Sequence, residues 1–159
     1  MRIEDIKEFG IFAYIDNCGK SAFVEVLKVY VNEKKVKVSI YNSKNIEITD
    51  IVSSDNLLPV TLTEAILKAL SFEEVTGHLY GLPNEHYFQL RKDNGKIEIL
   101  RDRGAIKYVQ PSMDRENWFG CKFIPMPYLH QLQDKIGRID LKCFVNELSK
   151  DEDNTTPTT

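Results

Sequence analysis

The chain has 159 residues, 42% of them hydrophobic and 28% charged, with a formal net charge of −3. That is globular composition, enough for one ordinary core or two small ones. The slightly acidic balance gives no global attraction to nucleic acid or anionic lipid. No apolar run approaches the roughly 18–20 residues that span a bilayer, so a cytoplasmic protein is expected.

The opening Met1-Arg-Ile-Glu-Asp-Ile-Lys-Glu8 mixes charge with hydrophobes and lacks the apolar core of a signal peptide. It reads as a helical turn or a lead-in. Residues 11–15 form the first strand candidate, and Asp16-Asn-Cys-Gly19 has turn chemistry. Residues 22–31 are rich in β-branched side chains and read as a second strand. In residues 35–41, Val36, Val38 and Ile40 alternate with polar neighbours and share one face. Residues 46–51 alternate again. Short strands with tight turns predict a small curled sheet, an SH3-like barrel over residues 1–59, with one face in the core and the other wet.

Residues 61–72 predict a junction helix that both halves pack against. Leu62, Ala65, Ile66, Ala69 and Leu70 fall on one stripe of 3.6-residue period. Thr61 and Glu64 have capping-box spacing, with Thr63 as the rival N-cap. Gly77 is the expected stop, and 78–80 a possible strand start. Residues 87–91 and 96–100 flank Asp93-Asn-Gly95, the clearest hairpin signal in the chain. Further strands are expected at 105–109 and 118–124, which completes an antiparallel meander.

Pro125 and Pro127 end that strand, and residues 128–136 predict a closing helix with Leu129, Leu132 and Ile136 on one face. Residues 139–148 fit a further helix or strand. Residues 149–159 are expected to be a disordered tail, because residues 150–159 carry no hydrophobe to offset the entropy of ordering. The fold class is therefore α+β and mostly antiparallel. Residues 60–148 form the second part: helix, meander and closing helix. Cys18, Cys121 and Cys143 form neither a C-x-x-C pair nor a zinc spacing, so they read as free thiols in a reducing compartment.

Two segments resemble a known family. Ile46-Glu-Ile-Thr-Asp-Ile51, then Leu58-Pro-Val-Thr-Leu-Thr-Glu-Ala-Ile-Leu67 and Phe72, is similar to its "I-x-L-T-E-E-I-L…F" junction, with Ala65 in place of a glutamate. Tyr128-Leu-His-Gln-Leu-Gln133 is similar to its "Y-V-H-Q-L-Q-N" helix. The family comprises small proteins, without an assigned activity, that are frequent in phages and mobile elements of Bacteroidota. The resemblance spans roughly residues 1–140 and implies a setting: an accessory protein of a phage or mobile element.

No Walker loop, G-x-G-x-x-G, H-E-x-x-H or G-x-S-x-G occurs, so no catalytic residue, metal or cofactor is assigned. His78 and His86 bracket a turn beside Glu85, which falls short of a ligand set. The one marked charge asymmetry runs from Arg91 to Lys107, where six cations outnumber three carboxylates. Arginines beside aromatic faces suit phosphate and base recognition. The candidate ligand-binding residues are therefore Tyr87, Arg91, Arg101, Arg103, Lys107, Tyr108 and Trp118, with His130 and Gln131 on the closing helix. By alternation Tyr87, Gln89 and Arg91 share a face, whereas Arg101 lies with Ile97 and Ile99.

The function expected is a non-enzymatic phage or mobile-element accessory binding protein. It would sequester a phosphorylated small-molecule host-defence signal or block a host protein, in the host cytoplasm and as a homo-oligomer paired through sheet edges. An SH3-like nucleic-acid or protein adaptor is the alternative, with nucleic acid ranked lower on charge. A minor hydrolase using His78 or His130 is the third possibility.

Overall fold

A computed structural model describes residues 1–42, 44–75, 85–92, 95–110 and 122–154. The expected Gly77 stop, the 78–80 strand start, the Asp93-Asn94 turn, Trp118 and Cys121 lie outside the described residues. So do residues 155–159 of the expected tail. The chain forms two compact units. The first is Met1–Thr61 with Tyr128–Thr159, and the second is Leu62–Pro127. The closing helix therefore belongs with the N-terminal sheet, not with the meander as the 60–148 reading had it. The α+β, mostly antiparallel class is as expected.

In the first unit β1 (Ile11–Ile15), β2 (Ser21–Tyr30), β3 (Lys35–Tyr41), β4 (Glu47–Ser53) and β5 (Leu57–Leu58) form one antiparallel sheet. Its order is β4-β3-β2-β1-β5. No ladder joins β4 to β5 among the described residues, so the strand pairing leaves the barrel closure expected from the sequence unestablished. The turns are built as their residues dictate. Asp16 Oδ1 accepts from the N–H groups of Cys18 and Lys20, each at 2.9 Å. Asn42 Oδ1 repeats the device for Lys44 and Ile46.

Register decides the core. Phe12 lies opposite Val24, Val26 opposite Val38, and Val36 opposite Val52. These residues cluster with Ile6 and Leu57. The opposite face, which carries Phe23 and Glu25, is not wet as expected, because the segment with Arg138 and Phe144 covers these residues. Helix α2 (Leu129–Ile136) packs on β1, and α3 (Leu141–Asn154) packs on β2. Phe144 meets Phe23 edge to face at 5.4 Å. Residues 149–154, expected to be disordered, continue α3, and Lys150 pairs with Glu147 one turn back.

Gly10 has to be glycine. A Cβ there would stand 2.7 Å from Phe12 Cε2 and 3.1 Å from Lys7 O. Phe12 is fully buried and cannot yield. Gly10→Ala is expected to cost about 1–2 kcal/mol by overpacking, read as a lowered urea midpoint at unchanged slope.

The second unit holds β6 (Glu73–Val75), β7 (Glu85–Lys92), β8 (Gly95–Asp102), β9 (Ala105–Gln110) and β10 (Lys122–Pro125) in the order β10-β9-β8-β7-β6. The β7–β8 hairpin forms as expected, with Lys92 opposite Gly95. Helix α1 (Glu64–Ala69) also belongs to this unit. It is half the expected length and is capped by Thr63, whose hydroxyl accepts from Ile66 N–H. Two long-range contacts explain the late start. Thr61 bridges to Tyr128, and Leu62 N–H donates to Pro127 O, which holds both residues extended. The buried stripe is Leu62, Ile66 and Leu67, while Ala65 is exposed.

Candidate functional site

The candidate residues of the second sheet divide between its two faces. Tyr87 lies opposite Leu100, which lies opposite Lys107, and Arg91 lies opposite Lys96. All five side chains share one face, because directly paired residues and alternate residues point the same way. Arg101 is opposite His86 and Ile106, and Tyr108 is opposite Ile99, so both belong to the other face. A single small ligand does not reach both sets.

Further residues are committed elsewhere. Arg101 forms an ion pair with Glu64 in the first turn of α1, at the wall of a cleft of about 430 Å³. Arg103 and Gly104 are the two central residues of the β8–β9 turn, with φ of 52° and 85°. Both positive angles are what a tight hairpin of this length needs. Arg103 is therefore explained as a turn residue. Tyr87 is 2% exposed and belongs to the core. His86 pairs with Glu74 at 2.9 Å across β6 and β7. Trp118 and His78 lie outside the described residues.

Lys107 stands opposite the buried Leu100, two strands away from Arg91, which leaves Arg91 and, by the hairpin register, Lys96. They stand directly opposite each other beside the 92–95 end of the hairpin, both exposed. Like charges in that position repel. Glu98 relieves part of this, with an oxygen 2.6 Å from Lys96 Nζ. Among the described residues, two cations facing one carboxylate at the exposed end of this face is an arrangement that an anion would complete.

His130 and Gln131 sit in the first unit, where Gln131 and Gln133 are hydrogen-bonded, whereas His130 Nδ1 is buried with no hydrogen-bond partner among the described residues. Gln131 Oε1 accepts from Tyr128 N–H at 3.1 Å and so caps α2. Gln133 reaches back to the segment before β1. Its Oε1 accepts from Ile11 N–H at 2.8 Å, and its Nε2 donates to Phe9 O at 2.9 Å. Leu129 and Leu132 fill the core. Asp134 receives both its bonds from Lys7. The His130 ring stacks on Phe12 at 5.1 Å and on Tyr128 at 5.7 Å. It borders two shallow clefts, the larger about 500 Å³ and rimmed by Glu4, Asp5, Lys7 and Asp134. That rim carries three carboxylates and one amine, which repels phosphate.

Burial holds the His130 pKa below its ordinary 6.5, opposed by Asp134 and Asp5 and assisted by Lys7. Between the lowered folded value and 6.5 the unfolded chain binds more protons, so stability rises with pH across that window. Stability is expected to fall as pH drops below 6.5. His130→Phe, which keeps the stack, should remove that part of the slope. Urea midpoints measured across the window check this.

Sequence reading missed the polar anchor of this unit. Glu25 is 5% exposed in the middle of apolar β2. It accepts from Arg138 Nε at 3.0 Å and Nη2 at 2.8 Å. Arg138 in turn lies over the Phe9 ring, 4.4 Å from its centre. A lone glutamate between Val24 and Val26 was the available signal, because a buried charge requires a partner. Cys18 and Cys143 are free and exposed. No cluster of three or more metal-ligating side chains occurs among the described residues, and no helix among them is long and apolar enough to cross a membrane. No protein-family model matches this chain, and no curated protein or solved structure matches it either.

Proposed function

We propose that this protein is a non-enzymatic accessory binding protein of a phage or mobile element. It captures a small phosphorylated molecule at the exposed Arg91/Lys96 end of the β7–β8 hairpin, in the cytoplasm of the cell that carries it. The observation that carries this proposal is the direct pairing of Arg91 with Lys96 on one face. A phosphate oxyanion placed between them accepts charge-assisted hydrogen bonds and cancels their repulsion. Arg101, Arg103, Tyr108, His130 and Gln131 drop out of the site for the geometric reasons given above. The setting rests on the resemblance of the junction and closing-helix segments. The order β4-β3-β2-β1-β5, with a 3-10 turn (Ser54–Asn56) just before β5, supports treating the first sheet as SH3-like.

Isothermal titration of the full chain with cyclic and linear nucleotides tests the ligand. A saturable heat is expected from at least one of them. In Arg91→Ala the affinity should fall about ten-fold or more, the loss of one charge-assisted contact. Absence of heat with every nucleotide, or equal affinity in the variant, contradicts the proposal.

A further inference from the structure

Among the described residues, no strand pairs with the outer edge of β4. β4 ends the strand order of the first sheet, and residues 47–51 are all exposed. Ile46, Ile48 and Ile51 are 57%, 48% and 54% exposed. Three isoleucines at an open edge form a template for strand addition.

One hydrogen bond fixes which backbone groups face outward. Ile51 N–H donates to the carboxylate of its own predecessor, Asp50 Oδ1, at 2.8 Å. It is therefore not in the ladder with β3. In an antiparallel pair, the N–H and C=O of one residue point to the same side, and alternate residues share that side. The backbone groups of Glu47, Thr49 and Ile51 thus face the open edge.

Charge and pattern identify the occupant. Residues 45–55 contain no lysine or arginine, while Glu47 and Asp50 are exposed. The inner edge of β4 already holds a strand of alternating lysine and valine. Val36 lies opposite Val52, Lys37 opposite Ile51, and Val38 opposite Asp50. The outer edge offers the same side chains to a strand on its other side. We infer that β4 takes, by strand addition, an extended segment of a partner protein in which Lys or Arg alternates with β-branched residues. A second copy of this chain fits less well. Two β4 strands side by side gather the Glu47 and Asp50 carboxylates of both copies at one edge, with no lysine or arginine within residues 45–55 to offset them.

The test uses the full chain and two fluorescein-labelled peptides, followed by anisotropy. One peptide has the chain's own sequence Lys-Val-Lys-Val-Ser-Ile-Tyr (residues 35–41), and the other replaces both lysines by glutamate. The lysine peptide is expected to bind saturably, and the glutamate peptide about ten-fold more weakly or worse. Ile51→Pro removes an outward N–H without breaking the β3 ladder, and it should abolish binding while circular dichroism stays unchanged. If that variant fails to fold, Glu47→Lys/Asp50→Lys serves in its place and should reverse the peptide preference. The inference is overturned by equal binding of the two peptides or by no binding at all. It is also overturned by undiminished binding to a folded Ile51→Pro chain, or by a peptide preference that Glu47→Lys/Asp50→Lys leaves unchanged. Self-association of the wild-type chain that Ile51→Pro dissolves would assign the edge to a second copy instead, and equally overturns it.

Discussion

Arg138→Ala is expected to destabilise the protein by about 2–3 kcal/mol, because it leaves the Glu25 carboxylate buried and unpaired. Glu25 sits opposite Ile11 on one side and Ser39 on the other. Ser39 is itself buried, and its hydroxyl donates to Glu47 at 2.7 Å. No other cation pairs with Glu25 among the described residues. The Arg138 side chain is 58% exposed, so water reaches its side of the pair and holds the cost below that of a fully buried bridge. Part of the loss is packing, since the guanidinium covers the Phe9 ring. Urea unfolding separates these contributions. Glu25→Gln in the Arg138→Ala background should recover much of the loss, because an amide tolerates burial better than a lone carboxylate. Glu25→Leu with Arg138→Met, which fills the space with apolar groups, should come close to wild type.

Gln133→Leu is the second large effect, about 2 kcal/mol. The amide bonds Ile11 N–H and Phe9 O together, and Ile11 is fully buried. Leucine fills the volume but leaves the N–H without a partner where water does not reach. Phe9 is held at φ 65°, a left-handed conformation that a non-glycine residue adopts only when its surroundings hold it there. Gln133→Glu should also destabilise, because the carboxylate cannot donate to Phe9 O. Hydrogen exchange at Ile11 provides the local readout, with protection in wild type and faster exchange in Gln133→Leu. Unchanged exchange at Ile11 would show that the amide is not holding this segment.

Much of the architecture was legible because period-2 alternation survives in the strands. Residues 11–15 and 35–41 are strands over those bounds, and β7 and β8 pair as the Asp-Asn-Gly signal requires. β5 and β6, of two and three residues, are too short for any periodic pattern to declare them. The length of α1 was misread because Thr61 and Leu62 are held extended by Tyr128 and Pro127, partners more than sixty residues away. The grouping into units has the same cause. Gln133, Lys7 and Arg138 fasten the closing helix to the N-terminal sheet through contacts that no local signal announces.

The candidate site was legible only in part. Alternation grouped Tyr87 with Arg91, and Arg101 with Ile97 and Ile99, and the hairpin register sets these two groups on opposite faces. Counting cations along the chain merged the two faces, and it ignored which arginines turns and ion pairs had already claimed. Lys96 was counted as charge, but its position opposite Arg91 emerges only from the hairpin register.

The most direct measurement is a native mass spectrum of the full-length chain purified from the cells that carry it. Wild type should retain a small phosphorylated adduct, and the Arg91→Ala/Lys96→Ala chain should fly at its bare mass. An adduct of equal mass and occupancy in both chains, or a bare wild-type chain, would contradict capture of an anion by this pair of cations.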